Sequence, residues 1–432
     1  MNFTELNLSE TLLEAISYMG FEEATPIQEQ AIPAILDKKD LIACAQTGTG
    51  KTAAFILPVL NTLLQENVQN KTMVLIIVPT RELALQIDQQ IQGFSYFTNT
   101  QSIAIYGGGT GSEWEQQKRA LTRGSEIVVA TPGKLISHLN MGYVKFEDLK
   151  YLILDEADRM LDMGFYDDIQ KIISYLPKNR QTLMFSATMP PRIKTLAAKA
   201  LKNPVEITIG LSKPAEGVLQ EAFLTYESQK TSLIKKLIAK KPDVKSILIF
   251  SSTKKKVNDI VRGLRGNGYK VEGISSDLEQ SRREEVLRAF RSKQTRALVA
   301  TDVLSRGIDI KDIDIVINYD VPGDAEDYVH RVGRTARAAS TGLAITLINE
   351  DDMYKFSRIE ALIGKEVDKL PLPKEIGEGP EWKPNQRGGG RNFGNKRRYP
   401  SKGNNNRGSN NRNGNNRGKS KSSYQGKRKD KR

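Results

Sequence analysis

Short apolar runs separated by longer amphipathic stretches recur along most of this chain. The first series is Leu41–Cys44, Met73–Val78, Ile127–Ala130, Tyr151–Leu154 and Thr182–Phe185. Each has the length of a strand and is too short for a helix. Helical stretches such as Arg81–Gly93 and Ile193–Leu201 lie between such runs. Strands alternating with helices predict a parallel sheet covered on both faces. The pattern then starts again at Ile247–Phe250, Val271–Ile274, Ala297–Ala300, Ile313–Ile317 and Leu343–Leu347. The expectation is an α/β chain with two tandem domains, residues 1–208 and 218–368. A linker at 209–217, with Ser, Lys, Pro and Gly, joins them. The length of 432 residues agrees, being more than one ordinary domain holds.

From residue 371 the pattern stops. Residues 371–432 are dominated by Gly, Asn, Arg, Lys and Ser, and almost lack aliphatic side chains. Burial there does not offset chain entropy, so a disordered tail is expected. The formal charge of +14 concentrates in it: from Asn385 to Arg432 there are sixteen Lys/Arg and one acid, Asp430. That segment carries +15, which leaves residues 1–384 near −1. The polyanion partner implied by charge is therefore first a matter of the tail. Phe393, Tyr399 and Tyr424 lie among its arginines and suit base stacking. A merely solubilising tail is the plainer reading; Arg-Gly spacing with sparse aromatics favours an RNA-binding arm.

Other classes are poorly supplied. Cys44 is the single cysteine, so no intramolecular disulfide framework exists. The two histidines, His138 and His330, are far apart in sequence and offer no material for a His/Cys zinc site. No apolar run is long enough to span a bilayer. The start, Met1-Asn2-Phe3-Thr4-Glu5, lacks the basic and apolar regions of a secretory signal. A cytoplasmic protein without membrane partners is expected.

Two motifs carry the chemistry. Ala45-Gln46-Thr47-Gly48-Thr49-Gly50-Lys51-Thr52 follows the expected strand Leu41–Cys44 and opens a helix. Glycines let such a loop curl its N–H groups onto phosphate oxygens, and the helix N-terminus adds partial positive charge. Lys51 can reach the β and γ phosphates, and the Thr52 hydroxyl can hold Mg²⁺. Ala45 stands where the strict pattern has Gly. Asp155-Glu156-Ala157-Asp158 follows the strand Tyr151–Leu154, at the end where open parallel sheets bind ligands. Asp155 there can hold Mg²⁺, and Glu156 can polarise a water for attack on the γ-phosphate. An isolated acidic tetrapeptide is usually a solvated helix start; its pairing with a phosphate loop argues otherwise.

These two elements resemble the DEAD-box family of RNA helicases, and the resemblance covers most of the first 365 residues. The short N-terminal lead and the basic tail are most similar to the bacterial RhlE-like branch. The resemblance implies two RecA-like domains, ATP and Mg²⁺ as cofactors, and RNA as partner. It also implies roles for further residues. Phe21, Thr25 and Gln28 resemble the family's Q motif, with Gln28 reading the adenine edge and Phe21 stacking on the ring. Ala24 replaces a usual Pro, and for Phe21 a core role is the plainer reading. Ser186 and Thr188 are similar to the motif that couples hydrolysis to strand separation, through bonds to Asp158. Gly307 and Asp309, after Asp302 and Arg306, resemble motif V, with Asp309 on the ribose. His330-Arg331-Val332-Gly333-Arg334-Thr335-Ala336-Arg337 resembles motif VI. Arg334 and Arg337 would be arginine fingers, a role worth about 10³–10⁵ in rate, and His330 would bond to Asp158.

The implied RNA contacts are Pro79, Thr80 and Arg81; Gly108 (after Gly107); Thr131, Pro132, Gly133 and Lys134; Thr253; Gln280 with Arg283; and Thr301. Loop and cap roles are the plainer reading of each. Contacts of this kind meet phosphate and sugar, so binding would be largely blind to sequence, with the 2′-OH distinguishing RNA from DNA. Lys134 stands where the family more often has Arg, keeping charge and losing the fork.

The family resemblance implies RNA-stimulated ATP hydrolysis coupled to closure of the two domains, with local, non-processive opening of short RNA duplexes and remodelling of RNA–protein particles. Ribosome-assembly or RNA-decay proteins are possible partners. A DNA-directed translocase and a non-catalytic RNA scaffold are the competing readings. Stimulation by DNA as strong as by RNA would favour the first, and turnover no higher with RNA than without would favour the second.

Overall fold

The computed structural model describes residues 1–45, 48–66, 70–108, 111–209, 218–266, 268–275, 277–301, 313–335 and 342–384. Two leading helices, α1 (Glu10–Tyr18) and α2 (Pro26–Leu36), precede the first sheet. Thr25 is the N-cap of α2, and Pro26 sits at its first turn, where a missing N–H costs nothing. There follow β1 (Leu41–Cys44), α3 (Lys51–Glu66), β2 (Val74–Ile77), α4 (Arg81–Phe94), β3 (Ser102–Ile105), α5 (Gly111–Arg123), β4 (Ile127–Ala130) and α6 (Pro132–Asn140). The unit ends with β5 (Tyr151–Leu154), α7 (Ala157–Asp162), α8 (Tyr166–Ser174), β6 (Gln181–Ser186), α9 (Pro191–Ala200) and β7 (Val205–Thr208).

The second series runs β8 (Val218–Leu224), α10 (Lys230–Ala239), β9 (Ile247–Phe250), α11 (Lys254–Arg265), β10 (Val271–Ile274), α12 (Gln280–Arg291) and β11 (Ala297–Ala300). After it come β12 (Ile315–Asn318), α13 (Ala325–Val332), β13 (Gly342–Ile348), α14 (Met353–Ile363) and β14 (Asp368–Leu370).

Both sheets are seven-stranded and parallel throughout, in the orders β3-β4-β2-β5-β6-β1-β7 and β10-β11-β9-β12-β13-β8-β14. Strand for strand the two orders are the same, so β1 corresponds to β8, β2 to β9 and β5 to β12. The two α/β units expected from the apolar runs are present.

Successive residues of a strand point to opposite faces, which is why the central runs are apolar without interruption. Leu41, Ala43, Val74, Ile76, Tyr151 and Ile153 pack into one core, while Ile42, Leu75, Ile77, Leu152 and Leu154 pack into the other. Burying each large aliphatic side chain contributes about 1.5–3 kcal/mol. A charge at Ile153 would lose that and bury an unpaired ion. These cores fix where the strands end, and the candidate site lies at those ends.

Four strands were not apparent as apolar runs: β3, β7, β8 and β14. The first two and β14 are at or beside sheet edges, and all four include partly exposed positions. One exposed face admits polar residues such as Glu206 and Asp368, and the run disappears.

The expected tail also begins too early. Residues 371–384 pack on the second unit. Leu372 and Ile376 join one of its cores and Trp382 another. The Gln229 amide donates to the Ile376 and Glu378 carbonyls at 3.1 and 2.9 Å. Leu372, Ile376 and Trp382 are spaced among Pro, Lys and Glu, so composition hides them. Residues 385–432, and 210–217 of the expected linker, lie outside the described residues. Ile209 belongs to the first unit, its N–H donating to the Cys44 carbonyl at 2.9 Å. Among the described residues no helix is long and apolar enough to cross a membrane.

Candidate active site and nucleic-acid face

The loop after β1 bends through two glycines with positive φ, Gly48 at 88° and Gly50 at 91°. A Cβ on Gly50 would lie 2.5 Å from the Gln28 Nε2 atom and 2.9 Å from the Thr25 hydroxyl, and with the positive φ this position favours glycine strongly. Gln28, almost fully buried, spans the gap. Its Nε2 donates to the Gly50 carbonyl at 3.1 Å, and its Oε1 accepts the Thr25 N–H at 2.8 Å. In this structure the amide thus ties the Q-motif segment to the phosphate loop. Phe21 lies in an aromatic cluster, 5.5 Å from Phe94 and 6.3 Å from Phe3 between ring centroids. Lys51 is the first residue of α3 and is buried; Thr52 is half-buried. Gln46, Thr47, Gly307, Asp309 and Arg337 lie outside the described residues.

Asp155 and Glu156 follow β5 and are both buried. Asp155 accepts the Glu156 N–H at 2.9 Å. Burial pushes its carboxyl up to about 6 against the opposing charge of Lys51, and the neighbouring Glu156 adds to the rise. Glu156 behaves oppositely. Burial pushes it up too, but the charges of Arg159, Lys51 and Arg334 outweigh this and hold it below the usual range. Glu156 adopts a left-handed backbone, φ 51° and ψ 49°, uncommon for a residue with a Cβ. That turn starts α7 and lets Arg159 fold back onto the Glu156 carboxylate at 2.9 Å. Arg159 was not singled out in the sequence; a cation three residues beyond Glu156 on a helix was the available signal.

Asp158 is tied to the end of β6. Its Oδ2 accepts from the Ala187 N–H at 3.1 Å, the Thr188 N–H at 2.9 Å and the Thr188 hydroxyl at 3.1 Å. Its own N–H donates to the Ser186 hydroxyl at 3.2 Å. Four bonds therefore couple the segment after β5 to the segment after β6. The lone Cys44 thiol joins the same place, donating to the Ala187 carbonyl at 3.3 Å.

A cavity of about 180 Å³ lies over these groups. The first unit lines it with Lys51, Glu156, Asp158, Arg159, Asp162, Ala187 and Thr188; the second with Asp324, Glu326, Asp327, His330 and Arg334. The second unit's residues come from α13, its N-cap Asp324 and the turn after it. No phosphate loop follows β8, the counterpart of β1. The second unit instead contributes the Arg334 guanidinium from the turn after α13. Cations suited to phosphate oxygens and a carboxylate held ionised can bind a polyphosphate and polarise a water. Among the described residues no three His, Cys, Asp or Glu side chains group as metal ligands.

The expected RNA-contact segments come together on adjacent strand ends. Pro79–Arg81 follows β2, Gly108 follows β3, and Thr131–Lys134 follows β4. Thr80 and Thr253 are helix N-caps, each accepting an N–H three residues on at 3.3 Å, at the corresponding places after β2 and β9. Arg81 pairs with Glu284 of the second unit at 2.8 Å, and the Gln280 amide donates to Glu82 at 3.4 Å. Arg283 donates to Gln280 at 3.2 Å, and Gly108 lies beside both Gln280 and Arg81. Thr301 follows β11 and is half-buried. Glu82, within the Pro79–Leu83 segment, and Glu284, which carried no motif signal, bridge the units here.

Comparison with known proteins agrees with this geometry. Residues 25–196 match the family model described as DEAD/DEAH box helicase, and residues 229–339 match the one described as Helicase conserved C-terminal domain. The ATP-dependent RNA helicase CshA of Listeria monocytogenes is 42% identical over 373 residues, which cover 86% of this chain and 70% of that protein. The DEAD-box ATP-dependent RNA helicase CshA of Bacillus subtilis is 40% identical over 375 residues, covering 86% of this chain and 74% of that protein. Among solved structures, S. cerevisiae Dbp5 bound to RNA and ADP BeF3 has a TM-score of 0.75 at 30% identity, covering 86% of this chain and 95% of that one. The two parallel sheets are tandem RecA-like domains, and this chain belongs to the DEAD-box family of ATP-dependent RNA helicases.

Proposed function

We propose that this chain hydrolyses ATP in an RNA-stimulated cycle that closes and reopens the cleft between its two domains. The cycle opens short RNA duplexes locally, without processive travel, and remodels RNA–protein particles. One observation carries the reading: a single cavity takes Lys51, Glu156 and Asp158 from one domain and His330 and Arg334 from the other. A site divided in this way is complete only when the domains are closed, which lets RNA and ATP gate hydrolysis together.

In this reading the backbone of residues 46–50 and Lys51 hold the phosphates. Glu156 orients the attacking water and receives its proton. Arg334, with Arg337, neutralises charge on the transferring phosphoryl group. Phe21, Thr25 and Gln28 bind the base, and Gly307 and Asp309 the ribose. Asp158 communicates the state of the site to Ser186 and Thr188, and His330 joins it on closure. Asp155 supports a magnesium site: its carboxylate, driven up by burial and by the neighbouring Glu156 despite the charge of Lys51, suits a divalent cation shared with Thr52. Bound there, the ion would offset phosphate charge. The RNA would lie along Pro79–Arg81, Gly108, Thr131–Lys134, Thr253, Gln280, Arg283 and Thr301.

The near-neutral core and the +15 tail support assigning general RNA affinity to residues 385–432. Within the family, the basic tail supports an RhlE-like placement; the relatives compared above carry the name CshA. A cytoplasmic location and work beside ribosome-assembly or RNA-decay proteins fit the same reading.

ATP turnover with RNA and with DNA of the same sequence tests it. RNA is expected to stimulate far more strongly. Arg334→Ala is expected to remove about 10³-fold or more of that stimulation. Equal stimulation by DNA, or wild-type turnover in Arg334→Ala, would contradict it.

A further inference from the structure

Lys134 stands on the RNA face as a flexible four-carbon ammonium, where a planar guanidinium would orient itself by its own fork. Its Nζ lies 4.1 Å from the centroid of the Trp114 ring. Trp114 is in the first turn of α5 and is half-buried. Its ring stacks on His138 from α6, centroids 4.0 Å apart and planes 15° apart. His138 is itself fixed on both nitrogens. One meets the Tyr143 hydroxyl, and the other meets the Gln117 amide oxygen at 3.2 Å. Burial, and then the charge of Lys134, push His138 down to about 4, so it is a neutral ring with no spare polar atom. The Gln117 amide nitrogen reaches the Tyr106 carbonyl at 3.4 Å, and the Tyr106 ring sits 4.3 Å under Arg81. An unbroken chain of contacts therefore runs from Arg81 to Lys134 through two aromatic seats, Tyr106 just after β3 and Trp114 in the first turn of α5.

We infer that Trp114 is a positioning residue for RNA binding: its indole, braced by His138, holds the Lys134 ammonium at a fixed place on the RNA face. A cation–π contact of this kind supplies the orientation that lysine lacks. Trp114 acts through Lys134 and does not itself read the RNA. The inference rests on the proposed reading of Lys134 as an RNA contact, and its test separates the two.

The test uses the full chain, a short single-stranded oligoribonucleotide and the RNA concentration that half-saturates ATP turnover. Trp114→Leu is expected to raise that concentration about 2- to 10-fold, with the loss there and not in turnover at saturating RNA. Lys134→Ala is expected to do the same or more. The double variant should be no worse than Lys134→Ala alone. Losses that multiply, or a loss in Lys134→Ala with none in Trp114→Leu, would overturn the role of Trp114 and leave Lys134 as a contact. No loss in Lys134→Ala would overturn the contact itself, and the inference with it. A purely structural Trp114 would lower the melting temperature without moving half-saturation at equal folded concentration. Should Trp114→Leu not fold, Trp382→Phe leaves Trp114 as the sole tryptophan. Its emission should then change on adding RNA, and Lys134→Ala should abolish that change. A response that survives Lys134→Ala, or no response to RNA, overturns the proposal.

Discussion

The Arg159 guanidinium lies 2.9 Å from the Glu156 carboxylate, three residues back in the chain, and both side chains are buried. The pair helps hold the carboxylate below its usual range although burial pushes it up. A base must be ionised to accept a proton, so the acid limb of the ATPase pH profile should fall below the ordinary glutamate range. In Arg159→Met one compensating charge is gone and burial gains weight. The Glu156 pKa then rises and the acid limb moves to higher pH. A pH–rate profile that does not move would contradict this role for Arg159.

Asp158 holds the end of β6 by three bonds to one oxygen, one of them from the Thr188 hydroxyl. Thr188→Val removes only that bond and keeps the shape and both backbone donors. The expected outcome is a split: duplex opening per ATP hydrolysed falls several-fold, while ATP turnover changes little. Equal losses in both would place Thr188 in the chemistry and not in its coupling.

Gly50 approaches Gln28 too closely for any side chain. Gly50→Ala therefore displaces Gln28 or the loop, and the positive φ adds about 1 kcal/mol or more of strain. ATP affinity should drop by more than tenfold, read by titration with an ADP–beryllium fluoride mixture. Gln28→Ala combined with Gly50→Ala should recover little, because the φ penalty remains. Wild-type affinity in Gly50→Ala would show that the loop is not held as described.

Asp320 follows β12 and receives Lys256 at 2.6 Å, the Ser252 N–H at 2.8 Å and the Ser252 hydroxyl at 2.8 Å. Burial pushes its carboxyl up, but Lys256, Ser252 and Lys230 outweigh this and hold it at about 2. The folded value lies below the unfolded one. Its stabilisation is therefore fully present above about pH 4 and is lost as pH falls through 2. Asp320→Asn should cost about 2 kcal/mol at neutral pH in urea unfolding. The gap to wild type should narrow between about pH 4 and pH 2. A constant gap over that range would mean the charge is not the source.

Residue spacing made the central strands and both phosphate-site motifs legible. β5 is apolar and buried at every position, and β1 at all but the half-buried Cys44, because both faces are covered; the proposed chemistry begins immediately after each. The edge strands were not legible, since one wet face admits Glu206 or Asp368. Nor were the ends of the second domain, where Trp382 packs on Phe356 from within a stretch rich in Pro, Gly and charge. The link from Asp158 to Thr188 followed from the family resemblance and is present in the structure. The links from Glu156 to Arg159, Arg81 to Glu284 and Lys134 to Trp114 did not. They depend on a left-handed turn, on contacts across the domains and on the register of two helices, none of which a linear motif encodes.

In the proposed cycle, Glu156 acts on water within an ATP site completed by both domains. Turnover of ATP by Glu156→Gln, in the presence of saturating RNA, tests it most directly. The substitution keeps size and hydrogen bonding and removes the charge. We expect ATP and RNA to remain bound together while hydrolysis falls by about 10²-fold or more. RNA-stimulated turnover at the wild-type rate would rule out Glu156 as the group that acts on water.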